Sequence, residues 1–587
     1  MSKFKKPQQR TLDSIEAGLS GFSYKPSGFA KQFREVCDSL IPDSIFDDLY
    51  SDRGRPALSP SILTRLLLLE LRDGRSDEQI VEDLCCDVRV RYMCDFGFDH
   101  KPIHPTTLVY HRLRLLYGTI RRDEIAKIKE EGFKEKDSPL QDVFDALKQA
   151  AVKLGLLDPE RAQLIDSTAI LGRAAVMDTY TLIWTGIRDT LKQCVDSSAE
   201  GSTELIAKLR RQDYLLKDIT KPKIDWENDA VRLALLRELV ADAAQISEAG
   251  LSLEDKELQG LLTQLSGLVA QDVVTGKSGL PEIKDGVTSG RQVSTVDTEM
   301  RHGRKSKSRK FNGYKGTITA DPESELITGV HVMGGNEHDS VAVVPIIEQQ
   351  VESKTTPTTL IGDRAYAAEE PRHEAMALGV AVVTKSNSAS TQSEFGKSNF
   401  HIDVLSRTVT CPVGRIISIT GKSVTFSGSG CRECPHREAC LGKGGKRTIK
   451  IRDREALQQD AERFSQTERG KALLSLRPTI ERVIAFWVRN GVRQARYFGR
   501  PKVWLQAMLS AIMCNLSKIG TKTGVFASNY PKNVLNIAYS TIMTALNTLF
   551  PAIAVDRLFV PVYDWYQNMR QSTSKRCLQS ALCSVVS

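Results

Sequence analysis

The sequence has no long apolar run and no apolar leader, and these absences narrow the class of protein. Met1 to Arg10 is polar and no hydrophobic stretch follows it, so we expect no signal peptide. The most apolar late stretch, Thr541 to Val555, is broken by Asn547 and Pro551, so we expect no membrane span. Without a signal, most of the 12 cysteines should be reduced. The sequence therefore predicts a cytoplasmic protein.

Aromatic residues are scarce at 6%, but the rest of the composition is ordinary for a globular protein. Hydrophobic residues make up 41% and charged residues 26% of the chain, which excludes disorder as the dominant state. The length of 587 residues corresponds to roughly three to five structural units. There is no internal repeat and no long low-complexity segment.

A strong net charge is also missing, but the positive charges are unevenly distributed. Lys and Arg exceed Asp and Glu by 9. Segment 301–315 contains seven cations and no acid, and segment 477–502 contains seven cations and the single acid Glu481. Such segments can simply be solvated surface, but two of them beside isolated acids favour a polyanionic partner.

Residues 1–125 are predicted to form a helical domain. Ser59-Pro60 and Gly74 mark the two ends of one helix, and Ser76 with Gln79 forms a capping box at the start of the next. Short helices joined by tight turns predict a helix-turn-helix-like DNA-binding domain. The alternative is a helical bundle that only packs on its neighbour.

A further helix of this domain is expected from Pro105 to just before Gly118. We expect its apolar residues to face inward and His111, Arg112 and Arg114 to face outward. This outward basic face is the reason for preferring the DNA-binding interpretation.

The pattern changes after a linker helix in residues 126–159. A short apolar run at 162–168 predicts a strand, and residues 186–292 return to helical periodicity as an insertion. Strands and helices then alternate until a late helix at 478–488. This order predicts a mixed α/β sheet in a domain spanning 160–520, with a cysteine-rich segment at 396–450 and a helical tail at 521–587.

Three acids stand out by position. Asp166 and Asp363 each end a predicted strand, and Glu481 follows Arg477 by four residues on one helical face. Carboxylates at the ends of strands in α/β sheets point into the crevice where ligands bind. The three acids, each beside basic residues, indicate a common site.

Several motifs together resemble the DD(E) transposases of bacterial insertion sequences, which have a ribonuclease H-like catalytic core. The motifs are Ile165-Asp-Ser-Thr168, Arg309-Lys-Phe-Asn-Gly-Tyr-Lys315, Gly335-Asn-Glu-His-Asp-Ser340, Gly362-Asp-Arg-Ala-Tyr366, and Arg477-x-x-x-Glu481 followed by Tyr497-Phe-Gly-Arg-Pro-Lys502. The resemblance extends to the helices around 58–116. It implies that Asp166, Asp363 and Glu481 form a metal-binding catalytic triad.

Two positions in the triad region leave alternatives open. Glu468 is the alternative third acid. Val488 stands where the related arrangement often has a lysine, and Arg489 or Arg493 could supply that cation.

The implied chemistry explains the need for acids. Phosphodiester cleavage needs an activated attacking oxygen and a stabilised leaving oxygen, and two Mg²⁺ or Mn²⁺ ions about 3.5–4 Å apart can provide both. Carboxylates are suitable ligands for these hard cations. For His338 and Asp339, before the next helix, the residues alone favour N-capping by Asp339 or Ser340, whereas the resemblance implies a supporting role beside the triad.

The resemblance also implies partners. These are double-stranded DNA, both the terminal repeats of the element and the target, and at least one further copy of the chain on paired ends. The cations expected to contact DNA are Arg112, Arg114, Arg304, Lys305, Lys307, Arg309, Lys310, Lys315, Arg477, Arg489, Arg493, Arg500 and Lys502.

Four cysteines have the spacing of a metal site. Cys431-x-x-Cys434 is a chelating pair, and Cys440 and Cys411 complete four sulfurs for a structural Zn²⁺. His436 could replace one of them. The alternative is a set of reduced cysteines without metal.

Together these observations predict a nucleoid-associated transposase that cleaves and rejoins the ends of its own insertion sequence. A transposase-derived DNA-binding regulator without cleavage activity is the alternative from another class. A metal-dependent nuclease that does not rejoin strands is a third possibility.

Overall fold

The computed structural model describes residues 4–5, 28–51, 57–97, 102–199, 201–217, 219, 221–249, 255–305, 308–385, 395–441 and 445–523. The chain divides into two units, 1–520 and 521–587. Residues 524–587 of the predicted helical tail lie outside the described residues. Within the described part of the chain, no helix has the length and apolar character needed to cross a bilayer.

Capping residues set the ends of the N-terminal helices. The elements are β1 (Phe4–Lys5), α1 (Gly28–Leu40), β2 (Ala57–Leu58), α2 (Pro60–Asp73), α3 (Asp77–Cys86), α4 (Val88–Met93) and α5 (Pro105–Tyr117). The Ser59 hydroxyl accepts from the Ile62 amide, and Gly74 ends α2 in the left-handed region at φ 65°. Ser76 and Gln79 form the predicted capping box. The predicted ends of these helices are therefore confirmed.

Two helices connect this region to the sheet. They are α6 (Arg122–Glu131) and α7 (Pro139–Lys153), separated by a short 3-10 helix at Glu135–Asp137. Glu135 accepts hydrogen bonds from the Val332 amide at 3.0 Å and from His331 Nδ1 at 2.7 Å. This buried carboxylate therefore fixes the connector to an edge of the sheet.

The first strand of the sheet leads into a helical insertion with its own core. β3 (Gln163–Leu171) precedes α8 (Thr179–Asp196), α9 (Ser202–Lys208), α10 (Asp229–Glu248), α11 (Lys256–Asp272) and the hairpin β4 (Val273–Thr275) and β5 (Pro281–Ile283). The insertion starts before the predicted residue 186 because Asp178 caps α8, accepting from the Thr181 amide at 3.1 Å. At α11 the cap is Asp255, which accepts from the Glu257 and Leu258 amides.

The two ends of the insertion are held together. Asp272 accepts from Thr179 Oγ1 at 2.8 Å and from Arg291 Nη2 at 2.7 Å. The Met177 amide donates to the Val293 carbonyl at 2.9 Å. The insertion therefore leaves and re-enters the sheet at nearly one point.

The remaining strands complete a six-stranded mixed sheet. They are β6 (Arg301–Arg304), β7 (Lys310–Ala320), β8 (Ile327–Gly334), β9 (Thr359–Gly362) and β10 (Ala381–Thr384), in the order β10-β9-β3-β7-β6, with β8 also paired to β7. α12 (Val343–Glu352) and α13 (Glu369–Ala377) pack with the sheet around a core that includes Ile165. The predicted mixed α/β class is confirmed. β6 is an additional strand, so the basic segment 301–315 is largely a hairpin.

The C-terminal part of the described chain adds a small β region with two short helices, followed by four longer helices. The cysteine-rich segment contains β11 (His401–Asp403), β12 (Thr408–Thr410), β13 (Ile416–Ser418), β14 (Ser423–Phe426), α14 (Ser429–Arg432), α15 (Arg437–Leu441) and β15 (Arg447–Lys450). It is followed by α16 (Glu455–Gln466), α17 (Glu468–Ser475), α18 (Pro478–Trp487) and α19 (Arg500–Thr523).

Candidate active site

Strand register brings Asp166 and Asp363 together. β3 and β9 are parallel neighbours, and Leu164 is paired with Ile361. Two residues further along each strand, the register places Asp166 beside Asp363. Ile165 and Ile361 are fully buried on the way. Asp363 directly follows β9, as predicted. The prediction that Asp166 ends its strand is wrong, because the pairing of β3 with β7 continues to Leu171.

Glu481 is delivered by α18, which lies close against the sheet. Ile480, Val483 and Trp487 form the buried face of this helix. Gly316 on β7 allows the close approach, because a Cβ there would lie 2.8 Å from Cη2 of Trp487. Glu481 is on the exposed face of the same helix.

The three acids line one cavity of about 460 Å³. Five of the predicted DNA-contacting cations line it as well: Arg304, Lys305, Lys315, Arg477 and Arg493. Acids and cations that line one cavity match a site that would hold a phosphodiester beside divalent cations.

Arg477 is the cation nearest to the two aspartates. Its Nη2 lies 3.9 Å from Oδ2 of Asp166 and 3.9 Å from Oδ2 of Asp363. Both separations are too long for hydrogen bonds, so the arginine balances charge without satisfying either carboxylate.

The pKa of Asp166 is raised to about 6, mainly by burial. The neighbouring Asp363 adds to the rise, whereas the Ser167 amide, Arg477 and Lys305 oppose it. A nearby cation would stabilise the ionised form of Asp166, whose pKa is raised. Carboxylate oxygens are suitable ligands for Mg²⁺ or Mn²⁺. The carboxylates that line the cavity therefore fit a divalent cation in donor chemistry. Nevertheless, no group of three His, Cys, Asp or Glu side chains in the described ranges has the arrangement of a metal site.

Asp339 is a fourth carboxylate in the cavity. It pairs with Lys315 at 2.7 Å, and Lys315 Nζ also donates to the Glu337 carbonyl at 2.7 Å. The predicted N-cap assignment to Asp339 or Ser340 is wrong, because the capping residue is His338, whose ring accepts from the Ser340 amide. The motif at 335–340 pointed to Asp339 as a residue beside the triad, but the spacing of the motif could not show that Asp339 pairs with Lys315.

The alternatives for the third acid and the additional cation differ in location. Glu468 has a side chain that is 94% exposed and pairs with Lys471, outside the cavity. Arg493 lines the cavity, whereas Arg489 stacks on Phe486. The geometry therefore favours Glu481 and Arg493.

The other predicted cations of segments 301–315 and 477–502 lie elsewhere. Arg309 and Lys310 are exposed at the β6–β7 turn, and Lys307 lies outside the described residues. Arg500 and Lys502 line a second cleft.

The predicted outward orientation of His111 and Arg112 on α5 is wrong. His111 is fully buried between Tyr50 and Thr64, and Arg112 is 8% exposed. Arg112 is bound to Glu70 and, at 2.8 Å through Nη1, to Asp77. These carboxylates draw it into the interior, so it has no free face for a phosphate. Arg114 is half-buried over the Tyr50 ring at 4.7 Å.

The same cluster connects the N-terminal helices to the segment after α18. Arg496 Nη2 lies 3.0 Å from Oε1 of Glu70, and Arg496 also donates to the Glu70 and Arg75 carbonyls. The Ala495 amide donates at 2.8 Å to the carbonyl of Leu171, the last residue of the strand that carries Asp166.

The four cysteines of the predicted zinc site share one cavity of about 290 Å³. Cys411, Cys431, Cys434 and Cys440 all line it, whereas His436 does not and stacks on Phe395. The Arg415 amide lies 3.3 Å from the sulfur of Cys411, and its guanidinium donates to the sulfur of Cys431 at 2.8 Å. Four clustered thiols with N–H donors to sulfur fit a zinc–thiolate site in donor chemistry, although they do not form a metal arrangement among the described residues.

Comparison with known families identifies two segments of the chain. Residues 414–520 match the family model described as Transposase DDE domain, and residues 24–114 match the Transposase domain (DUF772). No curated protein and no solved structure gives a significant match. The matched segments include Glu481 and the N-terminal helices but neither Asp166 nor Asp363. They confirm the resemblance to insertion-sequence DDE transposases.

Proposed function

We propose that this transposase-like chain cleaves DNA at the ends of its own insertion sequence and transfers the strands to a target. The observation that carries the proposal is the single cavity lined by Asp166, Asp363, Glu481 and a wall of cations. The mixed sheet that holds the acids would be a ribonuclease H-like core. The second copy needed to pair two ends would make the active form at least a dimer, working in the cytoplasm at the nucleoid.

Asp166, Asp363 and Glu481 would hold two Mg²⁺ or Mn²⁺ ions. Bound divalent ions supply activation of the attacking oxygen and stabilisation of the leaving oxygen. Lys315, held by Asp339, and Arg493 would position the phosphate from the cavity walls. Arg477, 3.9 Å from each aspartate, would move its charge from the acids to the phosphate when DNA enters.

The test is cleavage of DNA that carries candidate element ends. The full chain is incubated with these fragments and Mn²⁺, and the products are separated on denaturing gels. Asp166→Asn, Asp363→Asn and Glu481→Gln should each reduce cleavage and strand transfer by about a hundredfold or more, since metal stabilisation is worth several kcal/mol and 1.36 kcal/mol is tenfold. DNA affinity in EDTA should be retained.

Glu468→Gln is the matched control, because this acid is exposed outside the cavity. If Glu468→Gln is inactive and Glu481→Gln is active, the third ligand is misassigned. Normal cleavage by both aspartate variants would refute the proposal. Wild-type binding to ends without any cleavage would indicate the regulator, and cleavage without joined products would indicate a nuclease.

The N-terminal helices would recognise the element ends as a helix-turn-helix-like domain. Arg114 and the exposed face of α5 would contact DNA, with Arg112 excluded by its buried ion pairs. The cysteine-rich segment would hold one structural Zn²⁺ through Cys411, Cys431, Cys434 and Cys440. These assignments extend the transposase proposal and are tested separately.

A further inference from the structure

The second cleft, of about 950 Å³, lies between the connector after α5 and the sheet. Its lining includes the aromatic residues Tyr117, Phe133 and Phe498, together with cations such as Lys134 and Lys502. Phe498 is 42% exposed, although a phenyl ring gains by being buried. The cleft therefore combines an accessible ring face with positive charge.

The backbone is held by hydrogen bonds and an ion pair on both sides of Phe498, which restricts the position of its ring. On one side the Gly499 amide donates to Asp297 at 3.3 Å, and the Arg500 amide donates to Glu299 at 2.7 Å, where α19 begins. On the other side Arg496 is held by Glu70. A ring on an ordered backbone loses little conformational freedom when a ligand stacks on it.

The charges of the cleft are not cancelled by its acids. Three acids line the cleft, Glu135, Glu299 and Glu348, against five cations, Lys129, Lys134, Lys136, Arg500 and Lys502. Lys134 and Lys502 are exposed and take part in no ion pair within the described residues. The surface open to a ligand is therefore predominantly basic.

The cleft adjoins the candidate active site. Arg500, in the cleft wall, lies 3.8 Å from Oε2 of Glu337, and the Glu337 carbonyl accepts from Lys315 in the cavity wall at 2.7 Å. Glu337 therefore contacts a residue that lines the cleft and a residue that lines the cavity.

We propose that this cleft binds single-stranded DNA, with a base stacked on Phe498 and phosphates held by Lys134 and Lys502. Duplex DNA hides its base faces in the stack, whereas a single strand exposes them to an aromatic ring. The inference rests on the proposed function for the nature of the polymer and goes beyond it by naming the strand form and the residues.

The test is binding by the full chain in EDTA, so that cleavage plays no part. Fluorescence anisotropy compares a labelled thymidine oligonucleotide of about 12 nucleotides, within the site sizes of single-strand binders, with a duplex of the same length. Phe498→Leu keeps an apolar side chain but removes the ring, and it should weaken single-strand binding about tenfold. Phe498→Tyr should bind like the wild type. Duplex affinity should be unchanged in both.

Matched controls separate the cleft from general surface effects. Leu405→Ala removes another exposed apolar side chain, at 98% exposure, and should have no effect. Lys134→Ala with Lys502→Ala should lower the salt slope of single-strand binding by about 1.4, or about 0.7 for each phosphate contact. Lys422→Ala, in an exposed pair with Asp453, should leave the slope unchanged.

The proposal is overturned if Phe498→Leu binds single strands as the wild type does, or if it loses single-strand and duplex binding equally. Its failure is distinguishable from failure of the proposed function. If the chain does not cleave element ends but shows the Phe498-dependent preference for single strands, the cleft proposal stands and the proposed function fails. If the chain cleaves normally and shows no such preference, the cleft proposal fails and the proposed function stands.

Discussion

Arg112→Met would test whether this arginine stabilises the fold or contacts DNA. The side chain of Arg112 is 10% exposed and that of its partner Glu70 is 2% exposed. Removing the arginine leaves Glu70 buried with Arg496 as its remaining cation partner in the described cluster. Breaking a buried ion pair by removing one partner costs about 3–5 kcal/mol. Burial already raises the pKa of Glu70, and the variant should raise it further.

The effect is local and should be measured locally. Hydrogen exchange in α2 and α5 should accelerate by about 10²- to 10⁴-fold, which corresponds to this free energy. Arg112→Met combined with Glu70→Leu should recover most of the protection, because an apolar pair replaces the buried charges. Arg121→Met is the matched control, since Arg121 and Asp123 form an exposed pair, and it should leave exchange unchanged.

DNA binding by the double variant decides the role of Arg112. If the arginine only stabilises the fold, the double variant with recovered exchange protection should bind element ends with wild-type affinity and salt dependence. A salt slope lower by about 0.9, the value for one phosphate of B-DNA, in a variant with normal exchange protection would refute the reasoning.

Two further predictions concern the buried histidine and the cysteines. Burial, together with Arg114 and Arg112, lowers the pKa of His111 from 6.5 to about 3. Between these two pKa values the imidazole of His111 is protonated in the unfolded chain but neutral in the folded chain. The free energy of unfolding should therefore fall as the pH drops below 6.5, by up to about 1.36 kcal/mol per pH unit. Chemical denaturation at pH 7 and pH 5 should show this loss in the wild type, and a smaller one in His111→Gln. Elemental analysis of reduced protein should find one zinc per chain, lost in Cys434→Ser and retained in Cys86→Ser. Folded, active protein without zinc would contradict the second prediction.

Local signals allowed the helix ends and strands to be predicted. The Ser59 cap, the Ser76–Gln79 box and the terminal Gly74 act within a few residues, so spacing alone locates them. Asp363 could also be found, because a buried run followed by an acid marks the end of β9. The buried run before Asp166 locates that acid too, but Asp166 does not end β3, whose pairing with β7 continues to Leu171.

The orientation of Arg112 could not be predicted in this way. Its partners Glu70 and Asp77 are 42 and 35 residues distant in sequence, and only the packing of α2, α3 and α5 brings them together. The position of Arg477 between the aspartates, and the pairing of Lys315 with Asp339, depend in the same way on tertiary contacts.

The joined ends of the insertion have a consequence for how the chain folds. Strand β3 must find β7 across a loop of roughly 140 residues, and closing long loops carries an entropic cost. The insertion has its own core and can order first, with Thr179, Asp272 and Arg291 bringing residues 177 and 293 together. The effective loop then shrinks about fivefold, which lowers the closure cost by about 1.5 kcal/mol. If the rest of the folding barrier is unchanged, this difference makes the pairing of β3 with β7 roughly tenfold faster. We therefore expect an insertion that orders first to bring Asp166 to its sheet sooner.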